Sequence, residues 1–382
     1  LTAPTLGEIL DSNGMKLFVA SSGSSGSAFL LNSKVAGGGI VNSEMVLPES
    51  AQSAVESRFG GEPPEAMPQI AGNRRAIDAL LQLGLDEHKA DALFLWITDP
   101  DNTAHTKGVG TPETLAALKH VDEEVGRIFD SILAKGLADR YNILITSDHG
   151  FSTHSGPGNL NQLLVQGGVK KSLASTDVIV AEGAIYVDDS DTAKIAAIVE
   201  LLQRTPWIGP VFTAARSPGE TLGSIPGTLS FDSIAWNHAR SGDILTCATW
   251  VDDANEAGWK GITAQSGTAG HGTSSPYDIH NTLIAVGPDI KEGIASEVPT
   301  ANVDIAPTIA HILGISPAPT MDGRVMSEIL RGGPSPSSIS VTKKVDRTER
   351  KLENSTYQVE LHRTLVEGRY YLDYTVTRRS IP

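Results

Sequence analysis

Three short stretches of this sequence hold the side chains best suited to chemistry. Asp99-Pro100-Asp101-Asn102-Thr103-Ala104-His105 places a carboxylate, Asp101, four residues before an imidazole, His105. Ser147-Asp148-His149-Gly150 sets Asp148 and His149 side by side. Far downstream, Ala269-Gly270-His271-Gly272 carries a third imidazole, His271, between glycines that let backbones approach closely. Three imidazoles and two carboxylates suit a hard-to-borderline divalent ion such as zinc or manganese. Adjacent Asp and His project in different directions, so Asp148 and His149 can serve two neighbouring ions. Metals about 3.5–4 Å apart would clamp both oxygens of a displacement at phosphorus. Singly, each motif has a plainer reading: Asp-His-Gly after a strand is commonly a helix cap or turn, and Asp-x-x-x-His says less still. Together, in this order on one scaffold, they point to a metal site.

The elements around these loops must bring them together. Leu93-Phe94-Leu95-Trp96-Ile97 and Asn142-Ile143-Leu144-Ile145-Thr146 are continuous apolar runs, the pattern of strands covered on both faces. Between them Thr111-Pro112-Glu113 opens a helix with a cap, an N1 proline and an early acid. Leu115, Leu118, Val121, Val125, Ile128, Phe129 and Ile132 continue it at helical spacing. Strand, helix and strand in that order predict a parallel crossover, hence an α/β fold with a mostly parallel central sheet flanked by helices. Ligands bind at the carboxyl ends of such strands, so the first two motifs should converge at one edge.

Elsewhere the spacing predicts a helix over 4–14 capped by Thr5, a strand at 17–20, and a tight strand-to-helix turn over the Ser/Gly run 21–27. That run lacks the lysine and the glycine spacing of the known phosphate loops. Helices are expected over 72–83 and 192–202, and strands at 178–180, 184–187, 244–251 and 282–286. Asp304 is expected to cap a helix through Ile312, stopped by Gly314. Residues 1–330 read as the core, 331–356 as a linker, and 357–382 as a C-terminal β-hairpin turning at Glu367-Gly368.

Composition narrows the function classes. The 382 residues are 40% hydrophobic, and 30 Lys+Arg against 45 Asp+Glu give a formal net charge of -15. Such acidity argues against nucleic acid or anionic membrane as the main partner, while bound cations could still draw an anionic substrate. The single cysteine, Cys247, excludes an intrachain disulfide and a cysteine zinc cluster and reads as a small core residue. No run approaches the roughly 20 apolar residues of a membrane-spanning helix. His88, His120 and His311 read as helix residues. His154 and His280 lie near the motif loops and, with Lys107 and Arg240, are secondary candidates for substrate contact.

Pro100-Asp101-Asn102-Thr103-Ala104-His105, Ser147-Asp148-His149-Gly150-Phe151 and Gly270-His271-Gly272 resemble the metal motifs of the alkaline phosphatase superfamily, nearest its type I phosphodiesterase/nucleotide pyrophosphatase branch. Asn302-Val303-Asp304-Ile305-Ala306-Pro307-Thr308, Leu313-Gly314 and Met321-Asp322-Gly323-Arg324 resemble that superfamily's C-terminal helix and turn. The resemblance covers roughly residues 4–330. It implies a two-zinc hydrolase of phosphodiester or nucleotide pyrophosphate bonds acting on a small phosphate ester, with Mn2+ as the other possible ion. Asp101, His105 and His271 would hold one ion, and Asp148 and His149 the other. A related phosphonate or phosphomonoester hydrolase, or a metal-binding protein without turnover, are the alternatives. The family's attacking Thr or Ser and a further metal-binding Asp are expected upstream of Leu1; Thr2 and Thr5 are poor substitutes. The resemblance also implies export, and Asn354-Ser355-Thr356 would be a glycosylation acceptor in a secretory pathway.

Overall fold

A computed structural model of the chain describes residues 3–35 and 37–380. Thr2 lies outside them. The chain divides into two compact units, Leu1–Ile145 with Ile284–Pro336, and Thr146–Leu283 with Ser337–Pro382.

The first unit opens with α1 (Leu6–Ser12), whose N-cap is Thr5 in a reciprocal box with Glu8. β1 (Leu17–Ser21) is buried throughout. Its Leu17 and Val19 join one cluster with Leu10, Ala28 and Ile40, while Phe18 and Ala20 join another with Val41, Ala76 and Leu80. Both faces of the strand are therefore covered, which explains its unbroken apolar run. The Ser/Gly run is the expected turn, with Ser24 capping α2 (Ser25–Leu31). β2 (Gly39–Asn42), β3 (Val46–Leu47), α3 (Gln52–Phe59) and α4 (Ile70–Ala79) follow, and a π-helical segment prolongs α4 to Glu87. β4 (Ala92–Trp96), α5 (Asp101–Lys107), α6 (Pro112–Ala134) and β5 (Ile143–Thr146) complete this stretch. The sheet order is β3-β2-β1-β4, with β1 parallel to both β2 and β4.

Two expectations fail here. The expected parallel crossover between β4 and β5 is not formed: β4 is an edge strand beside β1, and β5 belongs to a separate two-stranded sheet. Both are only partly buried. An apolar run indicates covered faces but says nothing about which strand supplies the neighbouring ladder. On α6, Leu115 and Leu118 are exposed, whereas Ala117, His120, Glu124 and Ile132 are buried. Glu124 accepts from Arg74 Nε at 3.0 Å and Arg127 Nη1 at 2.5 Å, and this ionic cluster turns the helix away from its most apolar stripe.

The second unit contains β6 (Ser152–Gly158), α7 (Leu160–Gln166), β7 (Val178–Ala181), β8 (Ala184–Val187), α8 (Thr192–Arg204), β9 (Ile208–Thr213), β10 (Leu229–Ser230), β11 (Ile244–Ala248), β12 (Trp250–Ala254), β13 (Lys260–Gln265), β14 (Ala269–Gly270) and α9 (Pro276–Ile279). Its sheets run β10-β9-β11-β8-β7 and β12-β13-β6-β14. The single strand expected over 244–251 is in fact β11 and β12, in different sheets. They join at Thr249, whose N–H donates to Trp207 O just before β9 and whose carbonyl accepts from Ala264 N of β13, so the chain passes there from one sheet to the other.

The chain then supplies β15 (Leu283–Val286), which pairs with β5, and α10 (Ile305–Ile312) to the first unit. Asp304 stands at the α10 N-cap but does not cap it; its carboxylate turns back to accept from Ala301 N and Arg324 N. Last come β16 (Val341–Lys351), β17 (Thr356–Val366) and β18 (Arg369–Ser380), one antiparallel sheet of the second unit. Glu367 (φ 48°) and Gly368 (φ 83°) turn the expected hairpin, the left-handed pair a type I′ turn requires. β16 lies within the stretch read as linker. Its alternation of Lys, Arg and Glu gave no apolar signal, because it is an edge strand with most of its length exposed. Tyr357, Val359 and Leu361 of β17 share a core with Leu202, Ile208 and Val211. Among the described residues no helix is long and apolar enough to cross a membrane.

Candidate metal centre

In the first unit, α5 begins directly after the loop that leaves β4. Asp99, 4% exposed, shapes that loop. Its carboxylate accepts from Gln69 N (2.6 Å), Asn73 Nδ2 (3.3 Å) and Thr103 Oγ1 (2.7 Å), tying the start of α5 to α4. Ser22 reinforces the tie: its hydroxyl donates to Asn73 Oδ1 at 2.7 Å and accepts from Thr98 N at 3.1 Å. Asp101 and His105 are one turn apart on α5 and share a face. Asp101 Oδ1 lies 3.4 Å from His105 Nε2.

The other three candidates lie in the second unit, and sheet register brings their loops together. β14 pairs antiparallel with β6, Gly270 opposite Ser152. The loop entering β6, which carries Asp148 and His149, therefore ends beside the point where the loop leaving β14, which carries His271, begins. The rings of His149 and His271 stack, with centroids 3.4 Å apart. Gly150 N donates to Asp278 O at 2.7 Å, and a Cβ on Gly150 would meet Tyr277 O at 2.1 Å and His280 O at 2.7 Å. Only glycine allows this approach.

Local hydrogen bonds orient the donors. His149 Nδ1 is 2.8 Å from Gly150 O, a contact in which the ring must donate. That assigns the proton to Nδ1 and presents the Nε2 lone pair, the usual arrangement of a metal-binding imidazole. Nε2 in turn lies 3.3 Å from Asp148 Oδ2. Asp148 Oδ1 accepts from His149 N at 3.1 Å, and Ser147 Oγ donates to His149 O at 2.7 Å. Donors bound to one ion at about 2.0–2.2 Å sit roughly 3.3–3.5 Å apart across a tetrahedral edge. Asp101–His105 and Asp148–His149 both have that spacing, so the donor chemistry and the pair distances fit a divalent metal.

Of the secondary candidates, Lys107, Arg240 and His280 are exposed, and His154 Nδ1 meets Ser266 O at 2.9 Å. His120 is buried in α6. Sequence reasoning missed Asp99, Asn73 and Asp278, which hydrogen-bond the segments that carry the candidates. Asp278, 3% exposed, accepts from Thr273 N (2.9 Å) and Thr273 Oγ1 (2.6 Å). The available signal was an acid a few residues from a ligand motif, which by itself does not separate a clamp from a surface charge.

The model of the family described as Type I phosphodiesterase / nucleotide pyrophosphatase matches residues 39–261, more than half of the chain. The chain belongs to this family. Ectonucleotide pyrophosphatase/phosphodiesterase family member 7 of Mus musculus is 24% identical over 265 residues, 68% of this chain and 56% of that protein. Bis(5'-adenosyl)-triphosphatase ENPP4 of Homo sapiens is 26% identical over 230 residues, 59% of this chain and 45% of that protein. The chain thus spans about half the length of these curated relatives. Among solved structures, murine ectonucleotide pyrophosphatase / phosphodiesterase 5 aligns with a TM-score of 0.54 at 15% identity, over 84% of this chain and 74% of that one. Wild-type alkaline phosphatase PafA aligns with a TM-score of 0.52 at 19% identity, over 68% and 53%. The family member therefore has the alkaline phosphatase fold, an α/β architecture to which the C-terminal three-stranded sheet is joined.

Proposed function

We propose that this chain supplies the metal site of a hydrolase acting on phosphodiester or nucleotide pyrophosphate bonds. In this reading Asp101, His105 and His271 hold one zinc ion and Asp148 and His149 hold the other. The observation that carries it is the pair geometry: two separate oxygen–nitrogen pairs at 3.4 and 3.3 Å, one with its imidazole tautomer set by Gly150 O. Family membership supports the choice of ester, and relatives named for nucleotide pyrophosphate and bis-adenosyl triphosphate cleavage point to a nucleoside polyphosphate as substrate.

Bound ions would supply positive charge for the phosphoryl oxygens and lower the pKa of an attacking group. The protein's part is to hold the donors. Asp101 and Asp148 bring charge that offsets the ions, His149 keeps its proton on Nδ1, and Gly150 lets the two second-unit loops meet. The attacking Thr or Ser that the family resemblance implies is not one of these five residues. The test is metal content after reconstitution together with cleavage of bis-nitrophenyl phosphate, for the parent and for His271→Ala and Asp148→Ala. The parent should retain zinc and the variants should lose it. A parent that binds no divalent ion overturns the reading.

A further inference from the structure

His271 hangs between two anchors. On its N-terminal side β14 is fixed to β6. On its C-terminal side Gly272 (φ 93°) turns the chain into Thr273, Ser274 and Ser275, all buried. Thr273 is held within the loop by Asp278. Ser274 is held from outside it, at every polar group. Its N–H donates to Cys247 Sγ at 3.3 Å, its hydroxyl meets Thr375 Oγ1 at 2.5 Å and Cys247 Sγ at 3.3 Å, and its carbonyl accepts from Thr375 N at 3.0 Å.

Thr375 belongs to β18 and is 1% exposed. It is itself fixed, since its carbonyl accepts from Trp250 Nε1 at 2.7 Å. Two parallel hydrogen bonds between Thr375 and Ser274, one through backbone and one through hydroxyls, set both the position and the rotation of Ser274. With Gly270 fixed on the other side, only His271, Gly272 and Thr273 separate the anchors. A shift at Ser274 therefore has little chain in which to dissipate before it reaches the imidazole.

We propose that Thr375 is a positioning residue for the metal ligand His271, acting through Ser274, so that the C-terminal sheet is part of the metal-binding apparatus. The proposal rests on the reading of His271 as a ligand. Outer supports of metal ligands typically contribute about 10–100-fold to affinity, and here the support acts on the ligand's backbone instead of its ring.

The test measures Zn2+ affinity of the full chain by competition with a chromophoric chelator, alongside the unfolding midpoint in EDTA. Thr375→Val keeps the shape and the backbone bond but removes the hydroxyl, and should weaken zinc binding about tenfold with little change in the metal-free midpoint. Thr375→Ser should restore parental affinity. Ser274→Ala removes the other half of the hydroxyl pair together with that hydroxyl's contact with Cys247 Sγ, should weaken zinc binding at least as much as Thr375→Val, and decides the matter if that variant fails to fold. The Co2+ absorption spectrum of both should change shape, as a displaced ligand requires. Parental zinc affinity in both Thr375→Val and Ser274→Ala overturns the proposal, as does a fall in metal-free stability with affinity unchanged. His271→Ala binding zinc like the parent would instead sink the metal reading itself, a result separate from either.

Discussion

The imidazole rings of His149 and His271 lie face to face, 14° from parallel, although 122 positions separate them in the chain, from 149 to 271. In the proposed centre each ring forms one wall of the other's site. Phe151 stands beside both, its ring 6.2 Å from that of His149 and 5.8 Å from that of His271. Removing one ring should therefore disturb both ions of the proposed centre. We expect His149→Ala to lower the zinc retained per chain by more than the share of its own site, read by elemental analysis after dialysis. A clean loss of one ion would show that the sites are independent.

Gly150→Ala should be far more damaging than an exposed glycine change. The added methyl meets two carbonyl oxygens of the 277–280 backbone, and the segment carrying them also clamps Thr273. We expect a loss of about 1–3 kcal/mol, the usual cost of overpacking, together with weakened zinc binding. Urea denaturation and a zinc titration check the two effects, and parental values in both would contradict the described approach.

Asp99 offers a test that touches no proposed ligand. Asp99→Ala leaves the Gln69 N–H and the Thr103 hydroxyl without their acceptor. Each such loss costs about 1–3 kcal/mol when buried, and the start of α5 should loosen. Zinc affinity should fall, and calorimetric titration of Asp99→Ala measures this; parental affinity would remove the Asp99 clamp from the account.

Glu124 makes a pH prediction. Burial alone would raise its pKa, but hydrogen bonds from Arg74 and Arg127 outweigh burial and hold it below the ordinary carboxylate range. A depressed folded-state pKa contributes stability above the unfolded value, about 4.3, and that stability is lost as pH falls through the folded value. Glu124→Gln should lower stability at pH 7 and flatten the acid limb of the stability profile. Denaturation midpoints between pH 7 and pH 3 measure it, and an unchanged slope would remove Glu124 from the account.

What was legible in the sequence follows a physical line. Asp101, His105, Asp148, His149 and His271 stood out as candidates because few residue types can serve as metal donors; Asp148, His149 and His271 lie in loops beside turn glycines, whereas Asp101 and His105 lie on α5. β1 and the hairpin at Glu367-Gly368 were legible because burial period and left-handed turn residues are local properties. Strand pairing is not local, so β5 was assigned to the wrong neighbour. β16 was missed because an edge strand with both faces largely wet has no reason to be apolar. On α6 the apolar spacing of Leu115 and Leu118 was outweighed by the buried Glu124, whose partner Arg74 lies on α4.

Neither unit is a continuous stretch of chain: the first resumes at Ile284, and the second is completed only by residues up to Pro382. β5 therefore waits for β15 until residues 146–283 have been made, a delay on the order of ten seconds at roughly 5–20 residues per second. β18, whose Thr375 grips Ser274, is made only after a further 104 residues have followed His271, from 271 to 375. The His271 loop can reach its final shape only after β18 has been made. A nascent chain stalled at residue 340 would already contain all five candidate ligands, yet the loop holding His271 would lack its outer grip.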